Sequence, residues 1–121
     1  MSYDENNIFA KILKGEIPCK KIYEDDFVLS FYDINPQKKI HALVIPKGKY
    51  VDLDNFSQNA SAEEMVGLLK GINAVAKKLG ISVDTGKGYR ALTNISEDGG
   101  QEVPHLHFHL FGGEKIGKMV E

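Results

Sequence analysis

Between His105 and Phe111 the chain alternates histidine with apolar residues, His105-Leu106-His107-Phe108-His109-Leu110-Phe111. An extended strand turns a period of two into two coherent faces, and no helix does so. The three imidazoles then line one face, while Leu106, Phe108 and Leu110 bury the other. Imidazole titrates near neutral pH, so three on one face point to chemistry rather than to packing. The fourth histidine, His41, opens the apolar segment Ala42-Leu43-Val44-Ile45 and is a candidate for the same site.

Around this strand the punctuation predicts an α+β domain with a mostly antiparallel five-stranded sheet, one short helix and one long helix. Ile8 to Leu13 has helical apolar spacing, with Asn6 and Asn7 before it as caps and Gly15 after it as a stop. Lys21 to Glu24 and Phe27 to Tyr32 read as strands joined at Asp25-Asp26, with Phe27, Leu29, Phe31 and Asp33 on one face. A turn over Asp33 to Gln37 leads into a strand from His41 to Ile45, closed by Pro46. The long helix runs from Ser61 to Leu79, with Ser61 and Glu64 as a capping box and Gly80 as its end. Its stripe of Met65, Leu68, Leu69, Ile72, Val75, Ala76 and Leu79 covers the sheet, or the sheet and a partner subunit. Gly67 and Gly71, four residues apart, would admit close packing by a second helix. Tyr89 to Asn94 reads as a strand and Ser96 to Gln101 as a tight turn, while Glu114 to Glu121 takes no assignment.

The 121 residues, 42% of them hydrophobic, suit a single domain spanning 1–121. Fifteen basic and seventeen acidic residues leave a net charge of -2, which gives no electrostatic case for a nucleic-acid polymer or an anionic membrane. Any nucleotide partner would have to be held by a shaped pocket. Cys19 is the only cysteine, and the first residues lack a secretory pattern, so the expected setting is the reducing cytoplasm.

Three histidines invite a zinc reading, but strand geometry weakens it. His105 and His109 stand about 13 Å apart on a straight strand, too far to share an ion with ligands at about 2 Å. Neither CxxC nor HExxH completes a ligand set. The alternative is one imidazole acting as nucleophile while the others orient it and move protons. Gly99-Gly100-Gln101 supplies unshielded backbone N–H groups suited to phosphate oxygens, and the combination suggests phosphoryl or nucleotidyl transfer.

These residues resemble the histidine triad (HIT) superfamily, in its Hint-like branch. The triad pattern His-φ-His-φ-His-φ-φ is complete at 105–111. It is accompanied, in order, by Asn7-Ile8-Phe9, Glu16-Ile17-Pro18, Phe31-Tyr32-Asp33-Ile34-Asn35-Pro36-Gln37, His41 to Lys47 and Gly99 to Val103. The resemblance implies a purine nucleoside phosphoramidase or nucleotidyl hydrolase acting at the α-phosphate of adenosine phosphoramidates or aminoacyl-adenylate-like compounds. It makes His107 the nucleophile that forms a nucleotidyl-histidine, with His109 near the leaving group and His105 and His41 in support. It places Asp33 on the ribose, Ile8, Phe9, Ile12, Ile17 and Phe31 around the base, and Asn94, Gly100, Gln101 and Val103 at the phosphate end. It requires no cofactor and implies a homodimer with a shared sheet and packed long helices. Glu102 departs from the pattern, standing where some members carry a serine near the scissile bond, and Pro104 replaces an aromatic residue. A dinucleotide polyphosphate hydrolase, a nucleotide-binding scaffold and a zinc protein are the competing readings.

Overall fold

A computed structural model describes residues 3–120. Five strands form one antiparallel sheet in the order β1-β2-β3-β5-β4: β1 (Lys21–Glu24), β2 (Val28–Tyr32), β3 (Ile40–Pro46), β4 (Arg90–Leu92) and β5 (Phe108–Gly112). β3 sits at the centre and is buried on both faces. On one side Ala42 and Val44 join Val28, Leu110 and the apolar stripe of α3 (Ala62–Lys78). On the other, Leu43 and Ile45 join Leu29, Phe31 and Phe9 of α1 (Ile8–Leu13). Alternation along β3 feeds these two cores in turn and puts His41 on the α1 side with Leu43.

The capping box is present, with Ser61 Oγ accepting from Glu64 N and Glu64 Oε1 accepting from Ser61 N. Gly80 closes the helix at a positive φ of 73°, where a Cβ would be strained.

Four expectations need correction. The described residues hold three helices, because α2 (Leu53–Asn59) forms behind an Asp52 cap. It buries only Phe56, so its sequence carries no apolar period to read. β2 starts at Val28 because Asp25 Oδ1 accepts from the N–H groups of both Phe27 and Val28, at 2.8 and 2.9 Å. That turn sends Phe27 to the α3 side, away from Leu29 and Phe31. Gly67 and Gly71 seat α3 on Phe27 and Val28 rather than on a second helix. Finally, β5 begins only at Phe108, so of the three histidines His109 alone is in the strand. His105 and His107 precede it in irregular backbone where Leu106 N donates to Tyr50 O at 2.8 Å. The two faces survive this departure: Leu106 and Leu110 stay in the α3 core, while Phe9 of α1 meets both His105 and His107 edge-on.

Candidate active site

The α1 side of the sheet opens into a cavity of about 700 Å³, within the range of small-molecule sites. Its apolar end is made by Ile8, Phe9, Ile12, Ile17 and Phe31, together with Cys19 and Leu43. Asp33 stands on its wall, one residue beyond β2. Asn94, Gly100, Glu102 and Val103 also line it, as do His41, His107 and His109, with the Phe9 ring against the His107 imidazole. Gln101 and His105 do not line it. The Gln101 amide is spent on the loop, donating to Val51 O and Val103 O and accepting from Ser96 N.

Hydrogen-bond partners fix the tautomers. His105 Nε2 lies 2.9 Å from Pro46 O, which can only accept, so Nε2 carries the proton and Nδ1 accepts from Tyr3 Oη at 2.5 Å. His107 Nδ1 donates to His105 O at 2.7 Å. This leaves His107 Nε2 unprotonated, with its lone pair free. Thr93 Oγ1 donates to His107 O at 2.7 Å, and the Phe9 ring packs edge-on to the His107 imidazole at 4.9 Å. Backbone and ring are thus both held.

A second chain runs beside it. Gln37 N donates to His41 Nδ1 at 3.1 Å, so His41 Nε2 bears the proton and donates to His109 Nδ1 at 2.8 Å. The neutral His109 then presents Nε2–H. Asp33 Oδ2 is 3.5 Å from His41 Nε2, while Oδ1 accepts from Asn35 N. The sheet makes this pairing possible, because His41 lies opposite Phe111 and Leu43 opposite His109, leaving the two imidazoles diagonal on one face.

The donor atoms of Asp33, His41 and His109 lie within 4.8 Å of one another and could hold a divalent cation. In the neutral protein, however, the His41 Nε2 proton occupies the line between the two imidazoles. An ion would have to displace it.

Burial lowers the pKa of all four histidines. His105 falls to about 4, chiefly by desolvation, and His109 to about 4 by desolvation and its His107 and His41 neighbours. His107 and His41 are also lowered by burial, partly offset by Asp33 and, for His107, by its bond to His105 O and by Glu102. The unfolded chain therefore binds more protons than the folded one between the ordinary value of 6.5 and about 4. Stability should be full above pH 6.5 and fall by on the order of a few kcal/mol as pH drops toward 4. Urea midpoints measured from pH 8 to 4.5 check this; equal midpoints at pH 7 and 5 would rule out neutral burial.

Tyr3, Thr93, Gln37 and the Pro46 carbonyl hold the imidazoles and were not found from sequence. Three of them act through backbone groups or across more than fifty residues, where no local pattern exists. Thr93 could have been suspected as a polar residue at the end of a strand.

An antiparallel sheet carrying a largely apolar cavity, with a fixed, neutral imidazole on its wall, defines an α+β protein with a histidine-based candidate site. A family model described as HIT domain matches residues 14–116, and the chain belongs to that family. It is 52% identical over 119 residues to an uncharacterized 13.2 kDa HIT-like protein of Azospirillum brasilense, covering 98% of this chain and 95% of that protein. It is 40% identical over 117 residues to the purine nucleoside phosphoramidase of Escherichia coli K12, covering 96% of this chain and 94% of that protein. Among solved structures, a HIT family hydrolase from Clostridium thermocellum superposes with a TM-score of 0.85 at 39% identity, over 98% of this chain and 99% of that one.

Proposed function

We propose that this protein hydrolyses purine nucleoside phosphoramidates, and related adenylates with an acyl leaving group, through a nucleotidyl-His107 intermediate. The observation that carries the reading is the His107 tautomer. Its Nδ1–H is committed to His105 O, so Nε2 faces the cavity as a neutral nucleophile. The name of the Escherichia coli relative agrees with it.

The base would occupy the apolar end, held by contact with Ile and Phe side chains, and the ribose hydroxyls would donate to Asp33, whose carboxylate retains free lone pairs. The α-phosphorus then lies at His107. Arrival of the anionic phosphate raises the pKa of His109, allowing its imidazolium to form, with Asp33 beside His41 sharing the charge. His107 Nε2 attacks phosphorus and the P–N bond to the leaving group breaks. The departing amine takes its proton from His109. The nucleotidylated imidazole is cationic, and its Nδ1–H bond to His105 O strengthens as that charge develops. In the second half, water attacks phosphorus and passes its proton to His109. The P–Nε2 bond breaks and releases the nucleoside monophosphate. No metal enters this scheme, so chelator should leave turnover unchanged.

The same reading includes a homodimer. Val66 and Leu69 on α3 are 51% and 69% exposed, and β4 leaves one edge of the sheet unpaired. Sedimentation showing only monomer would remove that part. A cytoplasmic setting suits the lone Cys19 thiol, and cell fractionation tests it; no helix among the described residues is long and apolar enough to cross a membrane.

The decisive experiment is rapid quenching of the reaction with an adenosine phosphoramidate, followed by mass measurement of the protein. The expected species carries one adenylyl group, mapped to His107. Turnover with no adduct at any quench time, or an adduct on another residue, would contradict the scheme.

A further inference from the structure

The charge lining the cavity is one-sided. Among the described residues two carboxylates, Asp33 and Glu102, face it, and no lysine or arginine lines it. Its three imidazoles are neutral in the tautomers fixed above. Asp33 is engaged by Asn35 N and lies beside His41. Glu102, by contrast, has no ion-pair partner among the described residues and is exposed at the cavity rim. It lines the cavity from the loop that also contributes Gly100 and Val103, and its charge is felt at His107. With phosphorus at His107, a group leaving it is within reach of the charge on Glu102.

We infer that Glu102 is a specificity determinant: it favours leaving groups that carry a positive charge and disfavours those that carry a negative one. The inference rests on the phosphoramidase reading and narrows it. The preferred substrates are nucleotides with a single phosphate joined to a cationic amine. A polyphosphate chain would bring further negative charge to a rim that carries the Glu102 carboxylate and, among the described residues, no lysine or arginine. Between charges several ångströms apart near a protein surface, the expected discrimination is about three- to tenfold for each charge changed, and salt reduces it.

The test uses three adenosine 5′-phosphoramidates of similar size, made from ethylenediamine, ethanolamine and β-alanine, whose free ends are cationic, neutral and anionic. Wild-type kcat/KM should rank them in that order, with a cation-to-anion ratio of about tenfold or more at low ionic strength. Glu102→Gln should compress that ratio by about three- to tenfold, and Glu102→Lys should invert it. Differences in leaving-group basicity cancel when each ratio is compared between wild type and variant. The Glu102 side chain has no hydrogen-bond or ion-pair partner among the described residues, and circular dichroism checks the fold. An unchanged ratio in both variants, with all three compounds turned over, overturns the inference and leaves the phosphoramidase reading intact. Failure of the wild-type protein to cleave any of the three removes both.

Discussion

Replacing His107 with asparagine should lower turnover of an adenosine phosphoramidate by about a thousandfold or more, while AMP binding stays within a few-fold of wild type. Asparagine suits the position because its amide N–H can occupy the place of His107 Nδ1–H and still donate to His105 O. The buried carbonyl keeps its partner, so the fold is not charged with the loss. What disappears is Nε2, the atom that would bond to phosphorus. Alanine would confound the result by leaving His105 O unpaired and opening space beside Phe9, which packs on the imidazole at 4.9 Å. Turnover above a hundredth of wild type in His107→Asn would sink the covalent mechanism.

The histidine face was legible before any coordinates because period two is a geometric signature. Leu106 and Leu110 do enter one core while the imidazoles turn to the other side. The extent of the strand was not legible. It stops short of His107 because Leu106 N bonds Tyr50 O and Thr93 bonds His107 O, replacing ladder bonds with contacts set by distant loops. The same departure gives the three imidazoles different surroundings. His105 is fully buried between Tyr3 and Pro46 O, His107 faces the cavity, and His109 pairs with His41. Apolar residues such as Ile8, Ile12 and Ile17 could equally have been core by composition, and only the folded chain shows that they line the cavity. Asp33 makes the turn, its Oδ1 accepting from Asn35 N, while its Oδ2 lies 3.5 Å from His41 Nε2, a neighbour the sequence did not announce.

Changing Gly67 and Gly71 together to alanine should destabilise the protein by roughly 2–4 kcal/mol, lowering Tm by about ten degrees, although both sites lie inside α3. Helix propensity alone predicts the opposite sign, since alanine gains about 1 kcal/mol over glycine at each position. Packing opposes it. A Cβ at Gly67 would lie 2.4 Å from Phe27 Cγ, and one at Gly71 would lie 2.6 Å from Val28 Cγ2, against ordinary contacts of 3.4 Å or more. Val28 is fully buried under the helix and has nowhere to retreat, so the helix itself must lift off β2. That displacement loosens the contacts of Leu68, Ile72 and Val75 as well. Trimming the obstacle supplies the control: Val28→Ala added to Gly71→Ala should cost less than the sum of the two single changes, because each removes part of the other's clash or cavity. Thermal and urea unfolding of the singles and the double give the coupling directly. A Gly71→Ala protein more stable than wild type would mean that α3 does not sit this close to the sheet. The surface of α3 that bears Val66 and Leu69 would then have to be reassigned with it.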